Sequence, residues 1–183
     1  MSQRAILLAT RNYLRSNVPT SLSSLFNSTT VNQCIEVTFD GRPLPHHGEA
    51  FIAVHPGTWS NQYDEGIEEE FGVNLTVSLK GGKTPTDRWG PELMENASTG
   101  LDKVLEVVRV MVHSNYTIMT AANTIITASA NGFIRPLYFR DGGMPQPKSG
   151  KWWSARGKEE LGGLAQTLRF AGAMRDQTIE SMT

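Results

Sequence analysis

The sequence predicts an α+β protein: a mixed, mainly antiparallel sheet with helices packed on one face and long assembly loops. In "FGVNLTVSLK", Phe71, Val73, Leu75, Val77 and Leu79 alternate without exception with Gly72, Asn74, Thr76, Ser78 and Lys80. That period of two places one face of a strand in a core and leaves the other polar. Between Gly100 and Ser114, Leu101, Val104, Leu105, Val108, Met111 and Val112 recur at helical spacing, the stripe of a helix packed along one side. Strand and helix signals are mixed rather than strictly alternating, which favours a sheet with segregated helices over a βαβ repeat. The chain has 183 residues, with no repeat or linker, and is read as one domain spanning 1–183.

The chain opens on an amphipathic helix. Ile6, Thr10, Tyr13 and Leu14 share one side of the wheel, Ser2 is placed to cap it, and Pro19 stops it from running much further. From Pro19 to Gln33 the residues are polar and compete for their own backbone, with Leu22, Leu25 and Phe26 as anchors and room for a second short helix. "IEVTFDGRPLP" then reads as a strand with Ile35, Val37 and Phe39 on one face, broken at Asp40-Gly41. "AFIAVHPG" reads as a short buried strand closed by Pro56-Gly57, with the preceding strand as a candidate neighbour. "YTIMTAANTIITASANG" is open between helix and strand. "FIRPLYFRDGGMPQPKSGKWWS" reads as an edge strand interrupted by Pro136. "LAQTLRFAGAMRDQTIE" closes the sheet, with Leu164, Gln166, Leu168, Phe170 and Met174 on one side. Two segments, Trp59 to Glu70 and Gly142 to Gly162, read as loops longer than a compact domain usually needs, and such loops tend to bind something.

Composition excludes several functions. Lys plus Arg number 17 against 18 Asp plus Glu, a formal charge of -1, so no overall basic excess advertises nucleic-acid or membrane binding. A single cysteine, Cys34, rules out an internal disulfide, disfavours a thiolate zinc site and fits synthesis in a reducing cytoplasm. No apolar run approaches the ~20 residues that cross a bilayer, and "MSQRAILLATRNYLRS" does not read as a secretion signal. The glycosylation-like triplets at Asn27, Asn74, Asn96 and Asn115 are therefore taken as chance matches.

"SLKGGKTPTD" contains a Gly-Lys-Thr triplet, but the position where a phosphate loop needs its first glycine is Val77, and Pro85 follows Thr84 where helix amides would face the anion. The stretch Lys80, Gly81, Gly82, Lys83 and Thr84 reads as a loop leaving the sheet. Asp64, Glu65, Glu68, Glu69 and Glu70 lack the ligand spacing of a calcium loop. They read as a solvated face, or as the lining of an acidic passage that repels DNA phosphates and lets the strand slip through. Trp152 and Trp153 lie near Lys148, Lys151, Arg156 and Lys158; stacking on bases is one reading, and a protein contact anchored by Trp152, Trp153 and Arg156 is favoured over it. His46, His47, His55 and His113 show no metal-ligand spacing. No catalytic centre, metal or cofactor is expected, and the competing reading is a small intracellular enzyme or ligand-binding protein that uses Cys34 or the histidines.

The amphipathic first helix, "FIAVHPG", the acidic lead into "EEEFGVNLTVSLKGG", the helix "GLDKVLEVVRVMVHS" and the late strand "LRFAGAMRDQTI" together resemble the tail terminator and head-tail joining (neck) proteins of long-tailed bacteriophages. The resemblance is one of layout over most of the chain and transfers no individual functional residue. It implies a virion structural protein that forms a ring with copies of itself, usually of six subunits. Such a ring caps the last ring of the tail tube protein, halts its growth and offers a surface to the head-closure or connector protein. DNA would pass through it without sequence-specific binding. It also implies manufacture in the host cytoplasm, a final place at the head-proximal end of the tail, and no membrane. Lys80 to Thr84 would be an assembly loop, with Trp152, Trp153 and Arg156 at a contact and the acidic residues at the lumen.

Overall fold

A computed structural model describes residues 3–44, 48–63, 67–80, 96–113, 133–134, 138–139, 148–153 and 160–175. Helix α1 (Gln3–Ser21) leads through a four-residue helix, α2 (Val31–Cys34), directly into strand β1 (Ile35–Val37). Two long strands, β2 (Ala50–Tyr63) and β3 (Ile67–Lys80), precede helix α3 (Leu101–His113). Three short strands follow, β4 (Phe133–Ile134), β5 (Tyr138–Phe139) and β6 (Lys148–Trp153), and β7 (Glu160–Arg175) is the longest.

Among the described residues the sheet has seven strands in the order β1-β2-β3-β7-β4, with β5 and β6 also on β7. β1 runs parallel to β2 and every other pairing is antiparallel, so the protein is α+β with a mixed sheet. Partners along β7 retreat from Arg175 to Glu160 as the chain advances from Phe133 to Trp153. β4, β5 and β6 are thus successive pieces of one broken outer edge; Pro136, where the sequence placed an interruption, lies outside the described residues.

One hydrophobic cluster joins Ile6, Leu14 and Val18 of α1, Ala50, Ile52 and Val54 of β2, Val73, Leu75, Val77 and Leu79 of β3, Leu101, Val104 and Val108 of α3, and Leu168 and Phe170 of β7. Burying each large side chain contributes about 1.5–3 kcal/mol, so this cluster is the chief cohesive element of the fold. Thr10 enters the apolar side of α1 by returning its hydroxyl to the Ile6 carbonyl at 2.9 Å. Pro19 sits in the last turn of α1, which extends only to Ser21, and Leu22, Leu25 and Phe26 are buried beyond it as expected. Asn27 and Asn96 order the turns before α2 and α3: Asn27 Oδ1 accepts from the amides of Thr29 and Thr30, and Asn96 Oδ1 from those of Ser98 and Thr99.

Several expectations are corrected. Pro56-Gly57 does not close β2, because a bulge between Pro56 and Trp59 absorbs the break and pairing with β3 resumes to Tyr63. The expected loop from Trp59 to Glu70 is therefore mostly a hairpin, with Trp59–Tyr63 and Ile67–Glu70 in strand. The expected loop from Gly142 to Gly162 likewise contains β6 and the start of β7. Phe39 does not continue the buried face of β1: the strand ends at Val37 and Phe39 is 96% exposed, while Thr38 is buried and donates its amide to the Val54 carbonyl at 2.9 Å. The ambiguous stretch from Tyr116 to Gly132 and the capping role of Ser2 lie outside the described residues.

Candidate functional site

The face of the sheet opposite the main core carries a hydrogen-bonded row of polar side chains. Register sets Phe51, Ser78 and Ala165 side by side, then Ala53, Thr76 and Thr167, then His55, Asn74 and Arg169. Across the last two rows runs a hydrogen-bonded chain: His55 Nε2 lies 2.8 Å from Thr76 Oγ1, which lies 2.7 Å from Thr167 Oγ1. Asn74 donates to the Pro56 carbonyl at 3.3 Å. Thr76 and Ser78 are buried, His55, Asn74 and Thr167 are half-buried, and Arg169 is exposed.

The turn after β1 closes over this chain. Gly41 adopts φ 74°, left-handed backbone that favours glycine, and a Cβ there would fall 2.7 Å from His55 Nε2 and 2.8 Å from Thr76 Oγ1. The Gly41 amide donates to Thr38 Oγ1 at 3.1 Å, the Arg42 amide to Asp40 Oδ1 at 3.1 Å, and Arg42 Nε pairs with Asp40 Oδ2 at 3.3 Å. Burial pushes the His55 pKa below its ordinary 6.5, against the opposing pull of the Asp40 charge and a bond to the Pro56 backbone. A histidine within hydrogen-bond reach of a hydroxyl is the geometry of an activated nucleophile, but Gly41 sits against both atoms. The arrangement is a covered polar chain with half-buried ends.

At the first edge of the sheet, α1 closes β1 against further pairing. Arg15 donates Nε to the Ile35 carbonyl at 2.8 Å, and Nη2 to the Asn32 carbonyl and Glu36 Oε2, each at 2.7 Å. Glu36 Oε1 receives Arg11 Nη1 at 2.8 Å and the Val37 amide at 2.9 Å, and the Ile35 amide returns to the Val31 carbonyl. Burial raises the pKa of Glu36, but the Arg11 hydrogen bond, the Val37 amide and the charges of Arg11 and Arg15 outweigh it, leaving the group below 4.5.

The residues singled out in the sequence divide between the ends of the sheet. Lys80 ends β3 opposite Gly163, and its amide donates to the Glu49 carbonyl at 2.8 Å. Trp152 and Trp153 stand in β6 opposite Leu161 and Glu160, so Lys80 and the tryptophan pair are brought to one end. Glu68, Glu69 and Glu70 stand in β3 opposite Arg175, Met174 and Ala173, at the other end. Gly81, Gly82, Lys83, Thr84, Arg156, Asp64 and Glu65 lie outside the described residues, as do His46 and His47. Cys34 is fully buried, and burial pushes its thiol above the usual 9.0 despite bonds from Thr30 and the Gly48 backbone, which is the profile of an inert thiol. Among the described residues no group of three or more His, Cys, Asp or Glu could hold a metal, and no helix is long and apolar enough to cross a membrane.

The His55–Thr76–Thr167 chain was not legible beforehand because its members are 21 and 91 residues apart; the only signal was the polar half of the β3 alternation. No family model matches the chain, and no curated protein matches it.

Proposed function

We propose that the chain is a virion structural protein of a long-tailed bacteriophage: a tail terminator whose copies form a ring, six subunits in the resemblance, that caps the tail tube and joins the tail to the head connector. The observation that carries this reading is the separation, along one sheet, of the expected contact group from the expected lumen-facing group. Leu161, opposite Trp152, and Arg175, opposite Glu68, lie 14 residues apart on β7, roughly 45 Å at strand rise. Closed rings are built from heterologous contacts between two unlike surfaces of one subunit, and a long sheet that holds its aromatic-basic contact group apart from its acidic group leaves the acidic end free to line a passage. The sealed β1 edge leaves the broken β4–β6 edge, with Trp152 and Trp153 in it, as the side that meets a neighbour. Lys80 to Thr84 and Arg156 act with that contact, and Asp64, Glu65 and Glu68 to Glu70 face the passage. Another neck or tail-completion role is the nearest variant.

Gold-labelled antibody on intact phage particles tests the assignment. Label at the head-tail junction supports it; particles and disrupted particles that both stay bare overturn it. A deletion of Gly82 to Thr86 is expected to leave the subunit folded and to impair ring formation by size-exclusion chromatography, and unchanged assembly would remove that role from the loop.

A further inference from the structure

The turn Thr38–Arg42 carries an exposed large apolar side chain, Phe39, and also covers a titratable group. We propose that this turn is a proton-sensitive flap, closed over neutral His55 and lifted when the imidazole takes up a second proton. The inference concerns the β1–β2 connection and does not depend on the ring reading.

The geometry supplies the coupling. With Nε2 as acceptor, Thr76 donates to His55 and Thr167 donates to Thr76, so every proton in the chain points toward the imidazole. A doubly protonated imidazole has no acceptor, so Nε2 must donate to Thr76, Thr76 must turn to Thr167, and Thr167 must find an acceptor or water of its own. The new cation also requires hydration, and the turn restricts it: Gly41 stands so near the ring that a Cβ there would fall 2.7 Å from Nε2 and 3.1 Å from Cδ2. Water reaches Nε2 when the turn lifts.

The charges around His55 are few among the described residues. Asp40 on the turn favours the cation, β3 contributes the neutral Asn74 and Thr76, and Arg169 on β7 stands in the same row beyond Asn74 and is exposed. Arg42 is paired with Asp40, and Glu36 on β1 is held by Arg11 and Arg15. The helical side of the sheet packs against the opposite face. Lifting the turn breaks its anchor to the sheet, Thr38 N to Val54 O, opens to water the Gly41 amide that Thr38 Oγ1 holds within the turn, and displaces Phe39. Acidification therefore rearranges the largest exposed apolar side chain of this region without unfolding the core.

Amide hydrogen exchange followed by NMR, corrected for intrinsic rates, tests the flap in the intact chain. Protection at the Gly41 and Thr38 amides is expected to fall by about tenfold for each pH unit between 6.5 and the folded His55 pKa, while the Leu75 amide keeps its protection. His55→Gln keeps a neutral hydrogen-bonding side chain and is expected to hold Gly41 protection flat over that range. Direct titration of the His55 ring in the unmodified protein is the control that needs no variant. Equal protection at Gly41 on both sides of the observed His55 titration overturns the proposal, as does a fall that His55→Gln reproduces.

Discussion

Gly57 and Gly72 pass each other across the β2–β3 bulge so closely that a Cβ on Gly57 would lie 2.8 Å from the Gly72 carbonyl carbon, and a Cβ on Gly72 would lie 2.8 Å from the Thr58 amide nitrogen. The obstructing atoms are backbone, which no rotamer change can move aside. This crossing lies where the core-backed part of the hairpin ends and the part carrying Glu68 to Glu70 begins. Gly72→Ala is expected to destabilise the fold by about 1–3 kcal/mol, the usual cost of overpacking. Urea unfolding should show it as a lower midpoint with an unchanged slope.

Arg15 closes the outer edge of β1 with three hydrogen bonds while remaining less than a third exposed. Arg15→Ala is expected to cost about 1–2 kcal/mol, because it leaves the Ile35 carbonyl and half of the Glu36 carboxylate without their donor. Arg15→Lys should recover less than half of that in the same unfolding experiment, since an ammonium cannot span acceptors as a planar fork does.

Glu36 makes stability acid-sensitive. Its folded pKa lies below the unfolded value of 4.5, so the unfolded chain binds the proton first. The contribution is complete above 4.5 and is lost as pH falls through the folded pKa. Unfolding free energy measured from pH 6 to pH 3 should fall more steeply in the natural protein than in Glu36→Gln.

Asn27 and Asn96 each satisfy two backbone amides ahead of a helix. Replacing either with alanine is expected to cost about 1 kcal/mol. The turns belong to separate segments, so the double variant should show the sum within about 0.5 kcal/mol by calorimetry or denaturation.

Cys34 is expected to resist alkylation. Iodoacetamide labelling followed by mass spectrometry should modify it in urea and leave it untouched in the native protein over the same interval, because burial both blocks access and disfavours the thiolate. Rapid native labelling would revive the reading of this residue as a nucleophile.

The parts of the fold that were legible are those in which one local period decides burial. Val73 to Leu79 and Leu101 to Val112 each repeat one spacing against one core. Phe39 was misplaced because the alternation of β1 continues in the letters for two residues after the strand has ended at Val37. Pro56-Gly57 misled for the converse reason: a breaker dipeptide is compatible with a strand when its partner offers Gly72 at the crossing. The His55 chain depends on the register of three strands, and register follows from packing that no local pattern contains.

β7 follows every other described strand in the chain, yet it lies between β3 and the whole broken edge. Until residues 160–175 have left the ribosome, β4, β5 and β6 lack the strand they pair with, and one side of β3 stands open. The closing contacts join positions as far apart as Thr76 and Thr167, so folding carries the slow, loop-closing cost of high contact order. A growing chain holds an unfinished edge from the emergence of β3 until β7 has followed it.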